Sequence, residues 1–198
     1  MVKYLIRFIF WFKKKIRKIS GDLKFLFYKI IFNHVTYGRN IKVNGIFYLN
    51  LKGDVKIGDN IKFNNHTVFN FAGINRPTSI SVSKDASLII GDNCGFSGTA
   101  IYCSEQIIIG KNCLFGVNTF IWDTDFHDIN RRFPDDVNNT KSKPIIIQDN
   151  VFIGANTTIL KGVTIGEGAV IGANSVITID IEAFTINAGS PCKMVKKY

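Results

Sequence analysis

A histidine with two nearby aspartates is the group of residues best suited to acid–base chemistry. His127 lies in the segment WDTDFHDINRRFPDDVNNTKSKP, and Asp125 and Asp123 precede it by two and four residues. A neutral imidazole takes up a proton near pH 7, and a carboxylate can hold its ring in one tautomer. We therefore predict His127 as a general base and favour Asp125 over Asp123 as the orienting residue. The alternatives are a solvated loop histidine and aspartates that only shape a turn.

The other histidines and the four cysteines do not form a metal or redox motif. The cysteines at positions 94, 103, 113 and 192 contain no CxxC pair. His34 and His66 are distant from His127 in sequence, and no pair of histidines has a metal-ligand spacing. We predict no metal, and we assign His34 and His66 to surface or packing roles.

The elements that must position these residues follow from a six-residue repeat. Isoleucine recurs at every sixth residue from Ile147 to Ile177, and the fifth position of each hexad, from Val151 to Ile181, is small or β-branched. On an extended chain these two positions lie two residues apart, so both side chains point to the same side. Half of the second positions are glycine, which allows a turn after each short strand. The repeat predicts triangular coils of parallel strands, with Ile153 stacked against Ile171 and Ile147 against Ile165.

Weaker copies of the hexad extend the coils toward the N-terminus. A six-residue phase is kept by Leu51, Ile57, Phe63 and Phe69, by Ile90 and Phe96, and by Ile109, Phe115 and Ile121. These phases do not join, which predicts bulges or loops between them. Cys94 and Cys113 fall at small inward positions and are expected to be core thiols. A sandwich of alternating strands is the alternative, but the strict spacing of six favours the coil.

One long interruption of the repeat contains the candidate base. Residues 122–144 separate Ile121 from Ile145, and His127 falls where the next corner of a coil would be. Loops of this length inside a compact repeat are uncommon and usually functional. The spacing therefore predicts a protruding loop that carries His127.

The hexad region resembles the hexapeptide-repeat acyltransferases. The resemblance rests on IIIQDNVFIGANTTILKGVTIGEGAVIGANSVITIDIEAFTINAGSPCKMVKK, and CGFSGTAIYCSEQIIIGKNCLFGVNTFIWDTDFH is most similar to sugar and surface-polysaccharide O-acetyltransferases. It implies a left-handed parallel β-helix and a homotrimer with its active sites between subunits. It also implies acetyl-CoA as co-substrate and His127 as the catalytic base.

The same resemblance implies a set of residues that bind coenzyme A. It places the pantetheine arm beside Ala155 and Ala173, and Phe152 near the acceptor, with a backbone N–H near Ala155 as an oxyanion donor. Three further residues match positions around the adenosine and its phosphates: Thr178, Lys193 and Lys196. For the two lysines, ordinary solvated charges are the alternative.

Two positions depart from the family pattern. Ile179 stands where the family often has a lysine, so one phosphate contact is missing or supplied elsewhere. Galactoside-type members have an asparagine near Ser97 or Gly98 that helps to bind the sugar, and its absence leaves the acceptor open.

Most of the positive charge belongs to the N-terminal 32 residues. They contain nine basic residues and one acidic residue, which is +8 of the formal net charge of +10. The rest of the chain is nearly neutral, so we expect no nucleic-acid-binding surface. Basic residues interrupt every apolar stretch before it reaches the length of a spanning helix, and no small-residue cleavage site follows.

At helical period the same segment has one apolar face. Its members are Leu5, Phe8, Ile9, Phe12, Ile16 and Ile19, continued after Gly21 by Leu23, Leu26, Phe27, Ile30 and Ile31. Lysine and arginine residues occupy the other side. This pattern is typical of a basic amphipathic helix that lies on an anionic membrane surface, and we predict peripheral membrane contact through residues 1–32. The alternative is a helix that packs this face on the body of the protein.

These observations predict a mainly β protein in three parts. We expect a helical segment over residues 1–33, a β-helix acyltransferase domain over 34–182 with the loop 122–144 inserted, and a C-terminal extension over 183–198. The predicted activity is acetyl transfer from acetyl-CoA to a sugar hydroxyl of a surface polysaccharide or lipid-linked glycan, in the cytoplasm at the inner face of the membrane. The alternatives are N-acetylation of a nucleotide-linked amino sugar and a non-catalytic β-helix scaffold.

Overall fold

Three parallel β-sheets form the sides of a triangular prism in the computed structural model, which describes residues 2–128 and 140–198. Its strands, numbered in chain order, stack from coil to coil, and only the last strand runs antiparallel to its neighbour. The fold is the predicted left-handed parallel β-helix, preceded by the predicted N-terminal helix, α1 (Val2–Ile31). The centre of the predicted loop, residues 129–139, lies outside the described residues.

In the described part of the chain, each sheet contains one strand from each of six coils, and sheet B has two more strands at its C-terminal end. Sheet A consists of β1 (Thr36–Tyr37), β4 (Asp54–Ile57), β7 (Ser87–Ile90), β10 (Gln106–Ile109), β13 (Ile145–Ile147) and β16 (Thr164–Ile165). Sheet B consists of β2 (Lys42–Asn44), β5 (Lys62–Asn64), β8 (Gly95–Ser97), β11 (Leu114–Val117), β14 (Phe152–Ile153), β17 (Val170–Ile171), β19 (Thr185–Ala188) and β20 (Lys193–Lys197). Sheet C consists of β3 (Tyr48–Leu51), β6 (Ser79–Val82), β9 (Ala100–Cys103), β12 (Phe120–Trp122), β15 (Thr158–Leu160) and β18 (Val176–Ile177).

The six-residue repeat fills the interior of the prism as predicted. Every hexad isoleucine from Ile147 to Ile177 is fully buried, and the fifth positions from Val151 to Ile181 are buried with them. Ile153 pairs in register with Ile171, and Ile147 pairs with Ile165. Ladders of identical side chains therefore pack inside while parallel backbones bond from coil to coil.

Phenylalanines replace isoleucine in the interior of the earlier coils. Phe47, Phe63, Phe96 and Phe115 stack in sequence, with ring centroids 5.6, 5.2 and 4.7 Å apart. A stack of phenyl rings fills a wider interior of the prism than isoleucine side chains do, and each ring still points inward. Cys94 and Cys113 are buried beside them, as expected for core thiols.

Asparagines form a hydrogen-bonded ladder at the corner between sheets A and B. Each has a left-handed backbone with φ between 56 and 61°, and the members are Asn40, Asn60, Asn93, Asn112 and Asn150. Their side-chain amides bond from coil to coil at 2.8 to 3.1 Å. Asparagine tolerates this conformation better than other residues with a Cβ, so the ladder turns the chain and ties neighbouring coils together.

The predicted continuation of the hexad phase to Phe69 is wrong. After β5 the chain leaves the coil and forms a short 3₁₀ helix, Thr67–Phe69, which lies against α1. His66 caps this helix, because its Nδ1 accepts the N–H of Val68 at 3.3 Å. Asn65 closes the excursion by accepting the N–H of Thr78 at 3.0 Å. A local hydrogen-bonded turn thus overrides the apolar spacing here.

The second half of α1 caps the open end of the prism. Gly21 is buried, and a Cβ at this position would lie 2.6 Å from the carbonyl oxygens of both Val43 and Gly45. Only glycine permits this close approach of the helix to β2. Phe25 and Tyr28 follow on the same face and pack on aromatic residues of the first coil. Solenoids need such a cap because the first coil has no preceding neighbour.

The predicted apolar face of α1 is not the face that packs on the coils. Its members from Leu5 to Ile31 are 43 to 70% exposed. The packing face, which contains Gly21 and Tyr28, lies on the other side of the helix. Within the described residues, no helix combines the length and the apolarity that a bilayer span requires.

Candidate active site

The loop that carries His127 leaves the prism through a paired stem. Thr124 and Ser142 form an antiparallel bridge at the corner between sheets C and A. The N–H of Asp125 donates to the carbonyl of Lys141 at 3.1 Å, and the N–H of Lys143 donates to the carbonyl of Asp123 at 2.9 Å. His127 follows this stem directly, so its backbone position is tied to the coil.

Asp123 holds the base of the stem and is not available to orient His127. Its side chain is fully buried, and its two carboxylate oxygens accept the N–H groups of Ser104 and Glu105 at 2.7 and 2.8 Å. Hydrogen bonds of backbone N–H groups to a carboxylate are strong and directional. Burial raises the pKa of the neighbouring Cys103 thiol, and the charge of Asp123 adds to the increase. The sequence-based candidacy of Asp123 as an orienting residue is therefore corrected to a structural role.

Asp125 forms an ion pair with Lys161. The lysine Nζ donates to Asp125 Oδ1, and both side chains are about a quarter exposed. Lys161 belongs to the following coil and lies at the same corner, directly after β15. The sequence alone did not identify Lys161 as this partner. The signal in the sequence is that Lys161 directly follows the strand of the Ile159 hexad, in the coil next to the loop. The prediction that Asp125 orients His127 stays a prediction.

An aromatic platform supports the residue before His127. Phe126 has a left-handed backbone with φ of 64°, and its ring centroid lies 4.8 Å from that of Tyr102 and 5.5 Å from that of Trp122. This conformation is costly for a residue with a Cβ and is maintained by the surrounding packing. His127 itself is exposed in the single chain. The platform thus presents His127 outward at the edge of sheet C.

A shallow groove runs from this platform along the outer face of sheet C. It has a volume of about 410 Å³, and Tyr48, Tyr102, Trp122 and Phe126 are among its lining residues. Aromatic rings with small serines and alanines between them form a flat apolar floor with polar tips. The outward aromatic residues of successive sheet-C strands were the signal in the sequence, and sequence reasoning did not use it.

The residues assigned to the pantetheine arm lie together at the other end of sheet C. Phe152 is 45% exposed on sheet B. Ala155 and Ala173 follow β14 and β17 at the corner between sheets B and C. A Cβ on Gly154 would lie 2.5 Å from the backbone nitrogen of Ala173, so this position accepts only glycine. We call the outer surface at the two alanines the pantetheine strip, and the exposed side chains of Asn156 and Asn174 lie next to it.

The C-terminal hairpin brings one of the two candidate lysines close to this strip. Lys193 pairs with Ala188. The Cβ of Ala188 is only 2.9 Å from the place where a Cβ would stand on Gly172, which directly precedes Ala173. Lys196 pairs with Ile186, farther along the same hairpin. Both lysines are exposed, so their ammonium groups are accessible to an anion.

One chain does not bring all the predicted site residues together. Thr178 follows β18 at the end of sheet C that carries the His127 stem. Ala155 and Ala173 precede the strands of the same sheet. Thr178 and the stem of His127 therefore belong to the corner between sheets C and A, whereas Ala155 and Ala173 belong to the corner between sheets B and C.

The remaining histidines have local contacts only. His34 is exposed and packs edge-on against Phe32 with ring centroids 6.1 Å apart. Burial lowers the pKa of His66, and the charge of Arg17 lowers it further. Among residues 2–128 and 140–198, no three His, Cys, Asp or Glu side chains are grouped as a metal site would require.

A family profile described as the hexapeptide repeat of succinyl-transferase matches two parts of the chain, residues 106–121 and 144–178. The first range covers β10, β11 and most of β12, which form the fourth coil. The second range covers the two coils after the loop. The gap between them corresponds to the His127 loop.

Curated relatives include both O- and N-acetyltransferases. A 2,3,4,5-tetrahydropyridine-2,6-dicarboxylate N-acetyltransferase of Staphylococcus aureus strain Newman is 47% identical over 55 residues, which are 28% of this chain and 23% of that protein. The putative lipopolysaccharide biosynthesis O-acetyl transferase WbbJ of Escherichia coli K12 is 29% identical over 101 residues, covering 48% of this chain and 52% of that protein. This chain therefore spans between a quarter and a half of the length of these relatives.

Among solved structures, the polysialic acid O-acetyltransferase OatWY is similar over most of the chain. The two share 29% sequence identity with a TM-score of 0.63, and the match covers 82% of this chain and 74% of that one. The similarity therefore extends beyond the repeat that the family profile detects.

The structural role of Asp123 predicts a loss of stability on its neutralisation. In Asp123→Asn the amide nitrogen cannot accept an N–H, so one buried backbone donor loses its partner, and we expect a loss of about 1–3 kcal/mol in the free energy of unfolding. Urea denaturation measures this loss. The matched variant Asp125→Asn removes only a partly exposed ion pair and is expected to cost less than about 1 kcal/mol. Equal losses in the two variants would contradict the assignment.

Proposed function

Because this chain is a member of the hexapeptide-repeat acyltransferases, we propose that it transfers an acetyl group from acetyl-CoA to a sugar hydroxyl. The observation that carries the proposal is the exposed His127 on a stem fixed to the coil. His127 takes the proton of the hydroxyl as its oxygen attacks the thioester carbonyl. The tetrahedral oxyanion is stabilised by a backbone N–H near Ala155, and its collapse breaks the C–S bond. The departing thiolate then recovers the proton from the imidazolium.

We propose that the complete site forms between neighbouring chains of a homotrimer. Within one chain the stem of His127 leaves the corner between sheets C and A, whereas the pantetheine strip lies at the corner between sheets B and C, and this placement supports the arrangement. Leu114 and Phe152 are adjacent in register on sheet B and are 51 and 45% exposed, which is typical of a surface that another subunit covers. In this arrangement His127 of one chain faces Ala155 and Ala173 of the next.

A sugar hydroxyl is the acceptor that the observations favour. The aromatic groove beside His127 offers flat rings of the kind that stack on the apolar faces of sugars. OatWY, similar over 82% of this chain, is by name an O-acetyltransferase of polysialic acid. N-acetyltransferase relatives match 28 to 45% of this chain, and the N-acyltransferase AntD from Bacillus cereus is similar over 82% of it at 20% identity, below the 29% of OatWY, so acetylation of an amino sugar is the second candidate.

We further propose that α1 holds the enzyme at the inner face of the cytoplasmic membrane, where it meets a lipid-linked glycan or a surface polysaccharide precursor. The exposed apolar face of the helix supports this location, since large apolar groups such as Phe8 and Phe12 are about half exposed. The basic residues beside that face match the charge of anionic lipids.

The catalytic role of His127 predicts a large loss of activity in His127→Ala. Removal of a general base lowers turnover by about 10²- to 10⁴-fold, measured as CoA-thiol release with acetyl-CoA and a panel of sugars. His34→Ala, which changes an exposed histidine away from the loop, is expected to retain activity. Cleavage of the purified product by alkaline hydroxylamine distinguishes an ester from an amide. Full turnover by His127→Ala would contradict the assignment of His127 as the general base. Failure of the native chain to bind CoA would favour the non-catalytic scaffold.

A site shared between chains predicts recovery of activity in mixed trimers. His127→Ala lacks the base, and Ala173→Trp fills the pantetheine strip, so each variant alone is expected to be inactive. After unfolding and refolding of an equimolar mixture, about one quarter of the sites contain both native residues if neighbours complete the site. CoA-thiol release measures the recovered fraction. No recovery in trimers shown to be mixed would place the whole site within one chain.

Membrane contact through the apolar face predicts different effects for two exposed residues of α1. Phe12→Glu changes this face and is expected to weaken binding to phosphatidylglycerol-containing vesicles by about tenfold or more. Ile6→Glu changes net charge equally but lies off the face, so its effect is expected to be smaller. Vesicle sedimentation measures both. Equal binding of the two variants would contradict the proposed orientation.

A further inference from the structure

A cleft of about 450 Å³ lies between the first half of α1 and the outer face of strands β2 and β5. Its helix side presents Lys14, Lys15 and Lys18, and its sheet side presents Lys62. Trp11 and Phe69 add aromatic rings to the walls. Four lysine side chains therefore line one open cleft.

Within the described residues, these four lysines lack acidic partners. The ion pairs of that part of the chain involve other cations: Arg39, Lys111, Lys161 and Lys197. Aromatic rings take the place of carboxylates, since Lys15 Nζ lies 4.9 Å from the Trp11 ring centroid and Lys14 Nζ lies 5.7 Å from that of Phe69. Like charges that converge without a counter-charge repel one another, and a bound anion relieves that repulsion.

We propose that this cleft binds a phosphate or diphosphate ester. Lysine binds phosphate as a point charge, and several lysines on different elements suit a compact group with charge on several oxygens. Asn44 and Asn64 lie on the floor of the cleft and bond to each other at 3.0 Å, which leaves amide atoms beside the lysines for further hydrogen bonds. The aromatic walls can pack against an organic group attached to the phosphate.

The cleft is separate from the proposed coenzyme A site. It lies at β5, whereas Phe152 belongs to β14, three strands farther along sheet B. Neighbouring strands are about 4.8 Å apart, so the separation is about 14 Å. The inference therefore does not rest on the proposed acetyl transfer, and its test needs neither CoA nor an acceptor. Only the choice of a lipid-borne phosphate rests on the proposed membrane contact of α1.

The position of the cleft favours a phosphate at a membrane surface. At 100° per residue, the cleft-lining residues Trp11 to Lys18 lie roughly 120° around α1 from the centre of its apolar face. When that face is immersed in lipid, the cleft side is at the level of the head groups. A lipid-borne phosphate can then enter it, and so can a soluble phosphate ester.

Fluorescence of Trp11 tests binding of the group itself. In a Trp122→Phe background Trp11 is the remaining tryptophan, and we titrate it with inorganic pyrophosphate at constant ionic strength. We expect a saturable change, and Lys62→Gln to weaken it by about tenfold. Lys56→Gln, which removes the same charge from sheet A, should change it less than about twofold. No fluorescence change up to about 5 mM pyrophosphate, or equal weakening by both variants, would overturn the proposal.

Vesicles identify the source of the phosphate. We compare sedimentation with phosphatidylcholine vesicles that contain equal fractions of phosphatidic acid or phosphatidylserine. Selective loss of phosphatidic acid binding in Lys62→Gln, together with displacement by pyrophosphate, supports a lipid phosphate in the cleft. Pyrophosphate binding without displacement from these vesicles supports a soluble phosphate ester. Vesicle binding with no response of Trp11 to pyrophosphate overturns the site.

Discussion

The constraint behind the whole structure is that each coil finds its backbone hydrogen-bond partners only in the coils before and after it. Inward side chains must therefore stack on their equivalents, as the isoleucines from Ile147 to Ile177 and the ladder from Phe47 to Phe115 do. The first and last coils have a neighbouring coil on one side only, so each end of the stack is covered by another kind of element. Helix α1 covers the first coil through Gly21 and Tyr28, and the antiparallel strand β20 follows the last one. A long insertion is compatible with this constraint only at a corner, where no strand pairing is broken.

The three corners of the prism consequently have different roles. Left-handed asparagines tie the coils together at the corner between sheets A and B. At the corner between sheets B and C, left-handed Asn118 donates to Asn156 at 3.3 Å, and the backbone of Gly154 closely approaches Ala173. The corner between sheets C and A opens once, and the buried carboxylate of Asp123 secures the opening. Because the stem of His127 and the pantetheine strip belong to different corners, the proposed homotrimer would bring the two together through a second chain.

Regular features could be predicted from the sequence, and features that depend on a partner element could not. The hexads correctly predicted that Ile153 stacks on Ile171, because inward side chains at every sixth residue allow only one alignment of neighbouring coils. The same reasoning failed at Phe69, where His66 and Asn65 offer local hydrogen bonds that spacing does not reveal. It also could not identify the partner of Asp125, because Lys161 comes close only through the stacking of coils. The residues assigned to coenzyme A came from resemblance, and the corner that Ala155 and Ala173 share became visible only in three dimensions.

Helical periodicity showed that α1 is amphipathic but not which side would meet the prism. Membrane contact was predicted for the apolar face, with packing on the body as the alternative, and the close approach at Gly21 places the opposite side on β2. Since the helix also serves as the cap, it cannot leave the coils without exposing their first layer. A membrane-bound α1 would therefore hold the prism in a fixed orientation. The stem of His127 follows β12, three strands above β3 in sheet C, so the candidate base stands about 14 Å along the prism from the capped coil. That distance would determine how far from the lipid an acceptor sugar must extend.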